Sequence, residues 1–252
     1  MIIVFSGCGN SLDVATRLGN TLGDSNIMHL KGDALKLNSI DATSERRIIW
    51  ACPVYSWGLP PIFVDFINRI SIEGGEKCDH YLVATCGDDA GLTHRQWRKL
   101  MKRKGWNAIS SWTVIMPNTY TLMKGFDVDD AEVASRKLEK SVARIARIAE
   151  GIESRRKVDN VVRGKFAWVK SRIIYPWFKR FAMSPKPYHS TDGCTGCGKC
   201  SRECPLGNIS MADNRPAWGK NCAMCLRCYH ICPTHSVAYG NSTATKHQYL
   251  NR

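Results

Sequence analysis

Cys194-Thr195-Gly196-Cys197-Gly198-Lys199-Cys200-Ser201-Arg202-Glu203-Cys204-Pro205 spaces its thiols C-x2-C-x2-C-x3-C and stops on proline. Cys222, Cys225, Cys228, Cys232 and Pro233 repeat the pattern at a constant offset of 28 residues. The flanking apolar residues Ile209 and Val237 keep that offset. The segment is an internal duplication holding eight of the chain's twelve cysteines. Thiolates are soft anionic ligands, and two-residue spacers let three of them converge on one metal centre. The proline turns the chain away, which frees the fourth cysteine of each run to reach elsewhere.

This run is the one that holds [4Fe–4S] clusters in bacterial ferredoxins. Zinc is the alternative, because paired C-x2-C can form a tetrahedral site. A third cysteine two residues further on is unusual for zinc and favours iron–sulfur. A segment of roughly 60 residues is too small to fold well on an apolar core alone, so the metal centres also act as staples. Gly193, Gly196, Gly198 and Gly207 suit tight loops whose amides face sulfur.

The whole chain has 252 residues, 44% hydrophobic and 23% charged. That composition builds a core and excludes disorder as the main state. At about 150 residues per domain, it makes one to two domains. No run of 18 apolar residues occurs, so no membrane-spanning helix is expected. The N-terminus, Met1-Ile2-Ile3-Val4-Phe5-Ser6-Gly7, lacks a signal-peptide pattern, and a cytoplasmic protein is expected. In a reducing compartment clustered cysteines serve metals or redox chemistry rather than disulfides.

Before the cysteines the pattern alternates. Strands are expected at Ile2–Phe5, Asn26–Leu30, Arg47–Cys52, Tyr81–Thr85 and Trp112–Met116. Helical spacing appears in Leu12, Ala15, Leu18 and Leu22, in Phe63, Phe66, Ile67 and Ile70 after Pro60-Pro61, around Trp97, Leu100 and Met101, and in Leu138, Val142, Ile145, Ala149 and Ile152. Five strands alternating with helices give a doubly wound parallel sheet, with a ligand at the strands' carboxyl ends. Three loops occupy those ends. Ser6-Gly7-Cys8-Gly9-Asn10-Ser11 is small and rich in neutral donors, which suits a phosphomonoester at a helix N-terminus. It is neither G-x-G-x-x-G nor a Walker A loop. Pro53-Val54-Tyr55-Ser56-Trp57-Gly58 offers Tyr55 and Trp57 for stacking on a flat ring. Thr85-Cys86-Gly87-Asp88-Asp89-Ala90-Gly91 offers backbone amides.

These loops resemble those of flavodoxins. The whole chain resembles the flavodoxin–ferredoxin fusion family of bacteria and archaea, on F-S-G-C-G-N-S at 5–11, Pro53-Val54-Tyr55, Asn208-Ile209-Ser210-Met211 and the two cysteine runs. A hydroxy amino acid is usual where this chain has Cys8. The resemblance implies an α/β flavodoxin-like doubly wound five-stranded parallel sheet, followed by a small α+β two-cluster ferredoxin domain. It divides the chain into an FMN-binding domain (1–153), a basic aromatic linker (154–187) and a 2[4Fe–4S] domain (188–252). FMN would meet Ser6–Ser11, Pro53–Gly58, and Thr85, Cys86, Gly87, Asp88, Asp89 and Gly91. Cluster one would take Cys194, Cys197, Cys200 and Cys232. Cluster two would take Cys222, Cys225, Cys228 and Cys204. The implied function is electron transfer between FMN and the clusters. The alternative is a flavin-dependent reductase of a quinone, nitro compound or other small acceptor, with His94 and Tyr120 as pocket candidates. No catalytic triad is visible.

Cys8, Cys52, Cys78 and Cys86 read as small buried residues, and Cys8, if exposed at a helix N-terminus, would have a lowered pKa. Asp88 and Asp89 read as a solvated loop, or as a carboxylate near the flavin. The 36 Lys and Arg against 22 Asp and Glu give a net charge of +14. Residues 155–186 carry ten cations and one acid, with Phe166, Trp168, Tyr175, Trp177, Phe178 and Phe181 among them. The first expectation is an apolar stripe packed between domains, with a basic outer face docking acidic redox proteins. The second is peripheral contact with an anionic membrane. Nothing else on the chain resembles a nucleic-acid recognition module.

Overall fold

Ile48, Ile49, Trp50, Ala51 and Cys52 form an unbroken apolar run, and all five are buried. Such a run makes a strand covered on both faces. In a computed structural model, which describes residues 1–251, it is the centre of β4. Alternate residues leave on opposite sides. Ile48, Trp50 and Cys52 join Phe63, Phe66 and Trp97 in one core, while Ile49 and Ala51 join Leu18 and Ile145 in the other.

The elements in order are β1 (Ile2–Val4), α1 (Asn10–Leu22), β2 (Ile27–His29), β3 (Ser39–Asp41), β4 (Arg47–Pro53), α2 (Pro61–Arg69), β5 (Ser71–Glu73), β6 (Asp79–Cys86), α3 (Thr93–Lys104), β7 (Asn107–Ile115), α4 (Ala131–Glu153) and β8 (Asp159–Asn160). The main sheet is parallel in the order β2-β1-β4-β6-β7-β8, and β3 pairs with β5 beside it. Without the side pair and β8, the order is the doubly wound one of flavodoxins, with its switch point at β1 and β4.

Six strands stand where five were expected. The extra one comes from the linker, where Asp159 accepts from Ser111 and Arg98 and seats β8 against β7. β7 also begins at Asn107, earlier than its apolar residues suggest. Ser110 and Ser111 are fully buried there, because their hydroxyls bond to Arg156 and Asp159.

Residues 167–182 form one helix, α-helical at Ala167–Val169 and Tyr175–Trp177 and π-helical at Lys170–Ile174 and Phe178–Ala182. Pro176 lacks the N–H of an α-helical turn and its ring crowds the preceding carbonyls, which accounts for the widening. The inner side holds Lys170, Ser171, Tyr175 and Phe178. Phe166, Val169, Ile173, Trp177 and Phe181 face outward, the reverse of the expected stripe packed between domains.

The cysteine-rich part is a pseudo-repeat. Strand Tyr188–Ser190 pairs antiparallel with Val237–Tyr239, and Ile209–Ala212 pairs with Arg215–Trp218. Short helices Lys199–Arg202 and Arg227–Ile231 follow the two cysteine loops. Residues 196, 198 and 207 have positive φ, and so do 224, 226 and 235, at the same 28-residue offset. The first set is Gly, Gly, Gly and the second Met, Leu, His. The backbone therefore repeats even where the side chains do not.

Candidate redox site

The repeat reaches the sulfurs. Asn208 N–H donates to Cys204 Sγ at 3.3 Å, and Ser236 N–H donates to Cys232 Sγ at 3.2 Å. Met224 N–H donates to Cys222 Sγ at 3.3 Å. Amides turned toward sulfur by left-handed residues form the nests that anionic clusters use. Cys204, Cys222, Cys225 and Cys228 line a single cavity with Tyr188, Ile209 and Trp218. The fourth cysteine of the first run thus sits with the first three of the second. Burial pushes the Cys228 thiol up to about 12 and the Cys225 thiol well above its usual value. Cys197 is exposed, and its thiol is lowered by the Lys199 amide.

Four thiols in an apolar cavity are ligands for a soft metal centre. The Trp218 indole N–H and the Tyr188 hydroxyl are buried there without a hydrogen-bond partner, and cluster sulfides would accept from them. The set fits a cluster.

The second site lies where β1, β4, β6 and β7 end. Ser6, Gly7, Cys8, Asn10, Ser11, Pro53, Val54, Tyr55, Thr85, Cys86 and Gly87 line one cleft of about 110 Å³. Ser11 and Thr85 share a hydroxyl hydrogen bond of 2.7 Å, and Asn10 Nδ2 donates to Pro117 O at 2.8 Å. Gly9 takes φ 101° at the cap of α1, with no side chain closing the helix amides. Asn10 Oδ1 is buried and unpartnered. Open amides and hydroxyls at a helix N-terminus fit a phosphomonoester, and the wall of Tyr55, Val54 and Met116 fits a flat ring.

The cleft is narrower than the roughly 300 Å³ of a small-molecule site, because the chain's own later residues cover it. Gly7 is pressed against Cys225 O, and Gly9 against Asn251 O. Asn251 N–H donates to Cys8 O at 2.9 Å, and Cys8 Sγ lies 3.4 Å from Cys225 O. Cys8 is therefore buried, and its thiol rises to about 12 through desolvation rather than falling. Burial takes Cys86 to about 12 as well.

Ser56, Trp57, Gly58, Asp88, Asp89 and Gly91 do not line the cleft. Ser56 and Trp57 both have positive φ and turn the chain toward helix 167–182. Lys170 Nζ lies 4.9 Å over the Trp57 ring and 2.6 Å from Asp89 Oδ2, and Ser171 Oγ donates to Trp57 O. Gly58 and Gly91 make room for Tyr175 and Ser171. Asp88 is exposed. His94 is buried outside the cleft, whereas Tyr120 lines it.

Sequence reasoning missed three contributors. Met116, Pro117, Asn118 and Thr119 follow the fifth strand and line the cleft; the rule that ligands meet all carboxyl-end loops would have found them. Arg227 places Nη1 3.4 Å from Gly7 O and pairs with Glu203 at 2.7 Å. It brings a cation to a loop that has none. The tail residues 246–251 had no local signal.

Residues 186–233 match the model of the 4Fe-4S dicluster domain family. No curated protein matches the chain. Among solved structures, a flavodoxin of Streptococcus pneumonia TIGR4 is 14% identical over 61% of this chain and 96% of its own, with a TM-score of 0.37. An FMN-dependent NADH-azoreductase from Bacillus anthracis is 10% identical over 59% and 98%, with a TM-score of 0.36. These likenesses are too partial to add weight, and the fold rests on the strand order. No helix among the described residues is long and apolar enough to cross a membrane. A flavodoxin-like sheet followed by a 4Fe-4S dicluster segment makes this chain similar to the flavodoxin–ferredoxin fusion family that its motifs resemble.

Proposed function

We propose that the chain is an electron-transfer iron–sulfur flavoprotein that passes electrons between an FMN and two [4Fe–4S] clusters. One observation carries the reading. Cys225, a thiol of the four-cysteine cavity, also lines the cleft of the glycine loop. A flavin there and a cluster held by Cys204, Cys222, Cys225 and Cys228 would share a wall. FMN, when bound, exchanges one or two electrons and each cluster exchanges one, which suits coupling between two kinds of partner.

The chain's own residues hold the groups. Ser6, Asn10, Ser11 and the first amides of α1 would take the phosphate, with Arg227 supplying its charge. Tyr55 and Met116–Tyr120 would flank the ring. Cys194, Cys197, Cys200 and Cys232 would hold the outer cluster, with Cys197 exposed. The tail 246–251 would move aside to admit the flavin.

Iron, sulfide and flavin content of anaerobically purified protein tests the reading. The expected result is about eight irons and one FMN per chain. Zinc in place of iron would overturn it, and eight irons with no flavin taken up on titration would reduce it to a ferredoxin on a scaffold.

A further inference from the structure

Helix 167–182 and the residue before it expose Phe166, Trp168, Ile173, Trp177 and Phe181 by 77, 60, 55, 52 and 65%. Single exposed apolar residues are normal, but a run of aromatic ones on one helix marks a binding face. This face is not loose. Its inner side is fastened by Lys170 to Asp89, by Ser171 to Trp57 O and Leu92 N–H, and by buried Tyr175 and Phe178. Lys170, Ser171, Tyr175 and Phe178 anchor the helix, and the remaining large apolar residues are left outside.

Cations border that face. Arg172, Lys179 and Arg180 are exposed on the same helix. Along its flank runs a groove of about 370 Å³ between the helix and α3. Arg95, Lys99 and Arg103 stand in the groove on successive turns of α3, opposite Arg172, and no carboxylate lines it. Like charges four residues apart destabilise a helix unless an anion answers them. Among the described residues, none of these four has an ion-pair partner.

The occupant must accept aromatic side chains and supply negative charge along a cationic border. A second copy of this chain supplies the first, but it would set cation rows against each other, since a two-fold contact pairs like with like. An amphipathic helix with Trp and Phe outward and Lys and Arg at its margins is built for the boundary of an anionic bilayer. Long basic side chains there reach for headgroups.

We infer that helix 167–182 docks this protein on an anionic lipid bilayer, its aromatic face in the interface and the Arg95–Lys99–Arg103 row with Arg172 on the lipid phosphates. The inference is independent of what fills the redox cleft. It is tested with the full, iron-loaded chain in flotation assays. One set of vesicles is phosphatidylcholine alone and the other is phosphatidylcholine mixed with phosphatidylglycerol. The chain is expected to float only with the anionic vesicles and to be released by salt.

Neutralising the row as Arg95→Gln, Lys99→Gln and Arg103→Gln should weaken partitioning by roughly 100-fold. Trp168→Ser, Trp177→Ser and Phe181→Ser together should abolish it, with iron content unchanged. Brominated lipid should quench the tryptophan fluorescence of the unaltered chain, a readout that needs no variant. Flotation absent from both vesicle types overturns the inference. So does binding that ignores both sets of substitutions. A dimer in solution that the aromatic substitutions split, with no flotation, would assign the face to a second copy instead.

Discussion

Arg227 lies in the second cysteine run, yet its guanidinium reaches the glycine loop after β1. A charge-assisted contact of this kind contributes about 1.5–3 kcal/mol. On the proposed reading, in which Arg227 supplies charge to the FMN phosphate, Arg227→Gln should weaken FMN binding at least about tenfold, read by flavin fluorescence titration, while iron content stays constant. His80 is set by its surroundings in another way. Its Nδ1 accepts from Trp50 and its Nε2 donates to Gly75 O, so the ring is neutral, and burial lowers its pKa to about 4. The unfolded chain takes up a proton that the folded one refuses. The stability His80 contributes is complete above about pH 6.5 and is lost as pH falls toward 4. The melting temperature should fall over that window, and His80→Asn should flatten the slope. Of the single residues, the cysteines and the glycine loop were legible because their spacing is local. Trp57 and Asp89 were not, because what turns them from the cleft is Lys170, over 80 positions beyond Asp89.

At the level of elements, the alternation of strands and helices was readable because each buried strand is an apolar run. β8 was hidden, since two polar residues, Asp159 and Asn160, join the sheet through side-chain bonds rather than apolar burial. The direction of helix 167–182 was also hidden, because periodicity marks a stripe without saying which way it faces. Lys170 and Asp89 are each mostly shielded, at 20 and 15% exposed. Asp89→Asn should loosen that anchor and speed amide exchange across 167–182, with the sheet unaffected. The repeated left-handed positions give a second test. His235 is exposed at φ 54°, where its counterpart is Gly207. His235→Gly should stabilise the chain by about 0.5–1 kcal/mol, a rise of about 1–4 °C in melting temperature.

On the scale of the whole molecule, the ferredoxin-like part is docked on the carboxyl end of the sheet. His230 meets Thr119 O at 2.8 Å, Lys246 Nζ donates to Thr121 O at 2.6 Å, and Gly32 N–H donates to Pro205 O at 2.8 Å. Because Cys225 is wall to one cavity and side to another, the two sites are expected to fail together. Chelating the iron should lower flavin retention, measured by the flavin left after gel filtration, and adding flavin alone should not restore it.

The closure of the glycine loop by Asn251 also orders events during synthesis. A ribosome making 5–20 residues per second completes the sheet's first loop roughly 10–50 s before the residue that covers it emerges. Cys225 emerges first to cover Gly7 and the Cys8 thiol, and Gly9 is left uncovered until Asn251 is made. A nascent sheet would therefore keep the Gly9 end of that loop uncovered while the rest of the chain is still being made. The late-arriving tail then acts as its latch.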